Sequence, residues 1–212
     1  MSRTPERFFI RRGLIAGALA LIAAPAFAAR RPVVTILGDS ITAGLGLPAA
    51  DALPAQLQAA LAKRGAAVIV RGAGVSGDTT AAGLARLDFS VQADTDLCVV
   101  ALGGNDLLQG QDPKETRANL AAIVGRLKAR RIAVVLAGIS APPQVGAGYA
   151  RDFDAVFAAV AKAQHVTLYP DLIAGIGPGL RQGDGIHPNA AGVKAIATRL
   201  APVVARALKA RR

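Results

Sequence analysis

Pro32-Val33-Val34-Thr35-Ile36-Leu37 runs directly into Gly38-Asp39-Ser40-Ile41-Thr42. The first six residues are mostly β-branched or aliphatic and offer apolar side chains to both faces of an extended chain, as a strand covered by helices on both sides requires. A glycine and two small polar residues then end the run in a sharp turn. The pattern recurs. Residues 67–71 lead into Gly72-Ala73-Gly74-Val75-Ser76-Gly77-Asp78-Thr79, and residues 97–102 into Gly103-Gly104-Asn105-Asp106. Two further strands are expected at 132–137 and 166–169.

Longer stretches of helical period separate these runs. Residues 51–63 place Leu53, Leu57 and Leu61 on one face and stop at Gly65. Asp112-Pro113 opens a second helix with Leu120, Val124 and Leu127 as its stripe. Residues 149–162 turn Phe153, Val156, Phe157 and Val160 inward, and 188–210 form a closing helix whose apolar stripe reads as core, not as a membrane face. Alternating strands and helices specify βαβ units: an α/β domain around a five-stranded parallel sheet. In such sheets ligands bind at the carboxyl ends of the strands, so the three glycine-rich loops should open together on one edge.

The N-terminus has a different character. Arg3, Arg7, Arg11 and Arg12 precede the apolar run 13–24 and then Pro25-Ala26-Phe27-Ala28-Ala29. Basic, apolar and small residues in that order describe a signal peptide over 1–28, cleaved after Ala28 or Ala29, with a single domain over 29–212. The run is shorter than the roughly 20 residues of a spanning helix. Arg11-Arg12 also permits the twin-arginine route, and either route implies a periplasmic or secreted protein. Of the formal charge of +11, +8 belongs to residues 29–212. A basic balance raises nucleic acid or an anionic membrane surface as partners. Lys63-Arg64, Arg130-Arg131 and Arg211-Arg212 fall near expected helix ends, where cations complement the dipole, and aromatic stacking platforms are missing. The charge therefore reads as solvated surface, with no nucleic acid and with weak attraction to anionic lipid as a secondary expectation. The single cysteine, Cys98, lies in an apolar strand and reads as a buried, inert thiol.

Acyl transfer needs a nucleophile, a base and donors for the oxyanion. Ser40 stands at a strand end, although a serine in a Gly-Asp-Ser turn is by itself an ordinary turn residue or cap. Of the two histidines, His165 precedes the short fifth strand and reads as surface structure. His187 lies in Asp184-Gly185-Ile186-His187-Pro188-Asn189, where a tight loop can set Asp184 against one ring nitrogen and leave the other for Ser40. A helix N-cap motif is an equal alternative for this loop alone. Asp39, Asp78 and Asp106 are expected to organise their loops by accepting backbone N–H bonds, and Arg86 and Arg181 to be solvated. No metal and no cofactor are expected, because no histidine cluster of ligand spacing accompanies the carboxylates.

Gly38-Asp39-Ser40, the loop around Gly77, Gly103-Gly104-Asn105-Asp106 and Asp184-Gly185-Ile186-His187-Pro188, in that order across nearly the whole domain, resemble the blocks of the SGNH hydrolases of the GDSL family, in particular the bacterial periplasmic acyl thioesterase, lysophospholipase and arylesterase branch. The resemblance implies a flavodoxin-like three-layer α/β/α sandwich. It implies Ser40 as nucleophile, His187 as base and then acid, and Asp184 as its orienting partner. The oxyanion hole would comprise the Ser40 and Gly77 N–H groups and the Asn105 side-chain amide.

The implied activity is hydrolysis of small acyl esters or thioesters. Leu107, Leu108, Pro142 and Pro143, which follow strands three and four, are expected to shape the substrate pocket. A carbohydrate or peptidoglycan O-acetylesterase on the same scaffold and a noncatalytic exported binding domain are the alternatives. A G-x-S-x-G elbow is absent, which argues against the α/β-hydrolase fold.

Overall fold

The structure, a computed structural model, describes Met1 and residues 30–211. The signal-peptide reading and its cleavage site at Ala28 or Ala29 lie outside the described residues, Met1 aside. From Arg31 onward the chain forms one compact unit.

Five strands, β1 (Val33–Gly38), β2 (Ile69–Gly74), β3 (Leu97–Ala101), β4 (Ala133–Ala137) and β5 (Thr167–Tyr169), form one parallel sheet in the order β2-β1-β3-β4-β5. Central strand β3 and its neighbour β1 are buried at every position, as their unbroken apolar runs require, whereas edge strand β2 is only half-buried. Between them run α1 (Ser40–Ala43), α2 (Leu53–Ala62), α3 (Thr80–Ala85), α4 (Leu87–Ser90), α5 (Gly104–Leu108), α6 (Pro113–Ala129) and α7 (Ala147–Gln164), and α8 (Ala190–Ala210) closes the chain.

Strand order fixes the layers. The β1-to-β2 connection moves one way along the sheet and all later crossovers move the other way. Right-handed crossovers therefore place α2 on one face and α3, α6 and α7 on the opposite face. The packing agrees: α8 lies against α2, while α6 packs against α3 and α7. The result is the three-layer α/β/α sandwich. Its reversal point lies between β1 and β3, where open parallel sheets form their crevice.

Most element boundaries shift by one or two residues from the sequence expectation. The second strand starts and ends later than 67–71, and residues 51–63 divide into a 3-10 turn (Ala49–Asp51) and α2. Leu53, Leu57 and Leu61 are all fully buried, as their spacing requires.

Candidate active site

β1 ends at Gly38, and α1 starts two residues later at Ser40. Asp39 caps this single turn, its Oδ1 accepting the Ile41 N–H at 3.0 Å. No side chain fits at 38, since a Cβ there would lie 2.1 Å from Thr42 Oγ1 and 2.9 Å from the Ala101 carbonyl oxygen. Glycine thus lets the Ser40 turn fold tightly onto the neighbouring strand end. Asp39 is buried, and burial pushes its carboxyl up to about 6, against the opposing pull of the Ile41 N–H and of His187.

The loop before α8 carries the second half of the site. Asp184 Oδ1 accepts the N–H groups of Ile186 (2.8 Å) and His187 (3.0 Å), while Oδ2 lies 2.6 Å from His187 Nδ1. The bond with His187 and the two backbone bonds hold the Asp184 carboxyl down at about 2, so it is ionised across the working pH range. On the far side of the ring, His187 Nε2 lies 2.8 Å from Ser40 Oγ. With Nδ1–H donated to the carboxylate, Nε2 carries the lone pair that faces the hydroxyl. The N-cap alternative for this loop is met by a different residue: Asn189 Oδ1 accepts the Gly192 N–H and starts α8.

Two side chains pin this loop. Arg181 donates from Nε to the Ile176 carbonyl (3.0 Å) and from Nη1 to that of Gly185 (2.8 Å). Gln182 Nε2 donates to the carbonyls of Leu45 (2.8 Å) and Pro188 (3.0 Å), fastening the histidine loop to the segment after α1. Arg181 was expected to be solvated; it is instead half-buried and braces the loop from within. The space behind Ser40, between Ile41, Leu45, Leu47 and the His187 loop, has no room for a water-sized body.

The other two loops are joined to each other. Gly77 has φ +87°, a left-handed conformation that favours glycine, and nothing lies within 4 Å of where its Cβ would be. Asn105 Nδ2 donates to the Asp78 carbonyl at 2.9 Å, which orients the amide and leaves its second hydrogen for another acceptor. Asp106 is buried and accepts the Thr80 N–H (2.8 Å) and hydroxyl (2.5 Å), binding the third loop to the start of α3. Asp39 and Asp106 thus organise backbone as expected. Asp78 does not. Its carboxylate pairs with Arg86 Nε at 2.5 Å, and the same guanidinium donates to the Gly38 carbonyl (2.9 Å) and to Ser90 Oγ (2.9 Å). Arg86, expected to be solvated, is therefore the tie between the first and second loops. A lone arginine in a helical run carries no such signal; its eight-residue separation from an acid in a glycine-rich loop was the only hint.

The pocket residues divide. Leu107 is buried and packs in the core, so it does not line an open pocket, because the one-turn helix α5 turns it inward. Leu108 is exposed, and Pro142 and Pro143 are exposed at the start of a 3-10 turn after β4. His165 is exposed at the C-cap of α7, and Cys98 is fully buried, its thiol pushed up to about 12 by desolvation. Among the described residues, no three His, Cys, Asp or Glu side chains gather where they could hold a metal ion.

A buried turn presenting a serine, a histidine at hydrogen-bond distance from it, and a carboxylate behind that histidine define a hydrolase site on an α/β sandwich. The chain belongs to the GDSL-like lipase/acylhydrolase family, whose model matches residues 36–195, and it is an enzyme acting on ester bonds. It is 40% identical over 182 residues to Esterase TesA of Pseudomonas aeruginosa, covering 84% of this chain and 90% of that one. Thioesterase 1/protease 1/lysophospholipase L1 of Escherichia coli is 36% identical over 165 residues, 76% of this chain and 78% of that protein. Among solved structures, AlinE4, an SGNH-hydrolase family esterase, superposes with a TM-score of 0.71 at 41% identity, covering 84% of this chain and 97% of the other.

Proposed function

We propose that this chain hydrolyses acyl esters or thioesters by two-step acyl transfer through Ser40, His187 and Asp184, and that it works outside the cytoplasm, with residues 1–28 serving as an export signal. The observation that carries the reading is the hydrogen-bonded relay from Ser40 Oγ to His187 Nε2 (2.8 Å) and from His187 Nδ1 to Asp184 Oδ2 (2.6 Å). Ser40 attacks the substrate carbonyl while His187 takes its proton, and ionised Asp184 stabilises the imidazolium. The tetrahedral oxyanion accepts hydrogen bonds from the Ser40 N–H, the Gly77 N–H and the free Asn105 amide hydrogen. The alcohol or thiol leaves with the proton from His187, and water repeats the sequence on the acyl-enzyme, with Ser40 released at the end.

An apolar acyl group suits the rim. Leu45, Val75, Leu108, Val145 and Ile186 are exposed on segments at this edge, and Pro142 and Pro143 lie beside Val145. The names of the related esterase and thioesterase support the same substrate class. A chain-length series of p-nitrophenyl esters and acyl thioesters, assayed with wild type and Ser40→Ala, tests the reading. Wild type should turn over both series, and Ser40→Ala should lose turnover while melting at the same temperature. Undiminished hydrolysis by a folded Ser40→Ala variant rejects Ser40 as nucleophile. Asn105→Ala should lower kcat by two to three decades, about 2.7–4 kcal/mol, with KM nearly unchanged. A loss confined to KM would move Asn105 from the oxyanion hole to substrate binding.

A further inference from the structure

Tyr149, Phe153 and Phe157 follow one another at intervals of four along α7, so their rings lie in a row on one face of the helix. Tyr149 stacks on Phe153, with ring centroids 5.9 Å apart and planes 19° from parallel, and Phe153 meets Phe157 edge to face at 5.7 Å. Phe153 and Phe157 are buried, as the core face of an amphipathic helix requires, whereas Tyr149, near the start of the helix, is half-buried. The tyrosine therefore carries less of the packing than the two rings behind it. What sets it apart from a third phenylalanine is its hydroxyl.

This row touches both ends of the segment that carries Asn105. At one end the chain leaves β3 through Gly103, whose φ of +116° is left-handed, and where a Cβ would lie 2.9 Å from Phe157 Cζ and 3.9 Å from Phe153 Cζ. At the other end the Tyr149 hydroxyl donates to the Gln111 carbonyl at 2.8 Å. Between these points lie α5 and the turn after it, in which the N–H groups of Gln109 and Gln111 return to the carbonyls of Asn105 (3.0 Å) and Asp106 (2.9 Å). A displacement of Gln111 is thus passed through one backbone bond to the residue next to Asn105.

The other polar ties of the segment pull toward the opposite flank. Asn105 Nδ2 reaches the Asp78 carbonyl, and the Asp106 carboxylate takes the Thr80 N–H and hydroxyl, all in the second loop and the start of α3. A segment held from one flank is free to pivot about it, and the Tyr149 bond holds it from the flank of α7. Burial, with the carboxylates of Asp106 and Asp112, pushes the phenol up, so it keeps its proton and remains a donor through neutral pH.

We infer that Tyr149 is a positioning residue for the oxyanion hole, its hydroxyl holding Gln111 so that the second amide hydrogen of Asn105 stays aimed at the substrate oxygen. The inference rests on the assignment of Asn105 as an oxyanion donor. Tyr149 acts through the α5 turn and touches no reacting atom. Aim matters here because a donor is worth most where charge develops, and a misplacement of about 1 Å can cost up to two decades in rate.

Tyr149→Phe removes one oxygen and keeps the ring stack. On a soluble p-nitrophenyl ester its kcat should fall roughly tenfold with KM nearly unchanged, the scale of one hydrogen bond, and thermal melts check that it is folded. A double-mutant cycle then separates aiming from packing. In the Asn105→Ala background Tyr149→Phe should change kcat by less than about twofold, because the group it aims is gone. A further loss of the full size in that background would place the effect outside the oxyanion hole and overturn the inference. So would an unchanged kcat in Tyr149→Phe alone, or a loss confined to KM. Failure of the underlying assignment reads differently: Asn105→Ala by itself would then leave kcat undiminished, and the role of Tyr149 would fall with that of Asn105.

Discussion

Asp39 caps the Ser40 turn and yet is itself a buried acid. Its carboxyl titrates near 6 in the fold against 3.8 for an ordinary aspartate, so between those values the folded chain holds a proton that the unfolded chain has lost. Stability from this group is complete below about pH 3.8 and is lost as pH rises through about 6. Asp39→Asn keeps the oxygen that accepts from Ile41 and removes the ionisation. It should raise stability above pH 7 by up to about 3 kcal/mol, with the advantage gone near pH 4, as denaturant titrations at the two pH values would record. An unchanged or lower stability at pH 8 would mean that the ionised form is better solvated than its burial implies. Asp184 behaves oppositely. Held down at about 2, its contribution is present above the usual aspartate range and lost only as pH falls through about 2. The convergence of Ser40, Asp184 and His187 was legible in the sequence because there are only two histidines and only one shares a tight loop with an acid. Arg181 and Gln182 were not legible, since their partners are carbonyl oxygens that any residue could supply, and Arg86 was not because its acid, Asp78, lies eight residues away in another loop.

At the scale of elements, the site depends on ties between loops that the chain separates widely. Arg86 joins the ends of β1 and the β2 loop, and its ion pair with Asp78 is mostly buried, with side chains 19% and 12% exposed. Arg86→Met leaves that carboxylate without its partner, and should cost about 2–3 kcal/mol and lower kcat more than it raises KM. Thermal melts and steady-state kinetics check both, and an unchanged kcat would show that the two loops hold their geometry separately. Long elements were readable from their period, whereas α1, α3, α4 and α5 are too short for any period to register. The second strand was misplaced because Gly72 and Gly74 look like a loop. In the fold they stay in the strand, since a Cβ at 72 would lie 2.8 Å from Pro54 Cγ and one at 74 would lie 2.4 Å from the Ala43 nitrogen. Those glycines serve close packing of α1 and α2 on an edge strand and do not interrupt it.

At the scale of the whole molecule, Cys98 sits in central strand β3 with no exposed surface and its thiol pushed up to about 12. No local opening short of unfolding the sheet should expose it, so its labelling by a thiol reagent should proceed at the rate of global unfolding. Faster labelling would reveal a partial opening of the sheet. Asp96, just ahead of that strand, has a more practical consequence. One of its oxygens accepts from the Val33 N–H at 2.6 Å, where the sheet begins, and the other from Arg211, beyond the closing helix. Head and tail of the domain hang from one carboxylate, so a tether, tag or fused partner added to either leaves the catalytic mouth unobstructed. A short linker joining them would also suit a circularly permuted enzyme with new ends cut elsewhere.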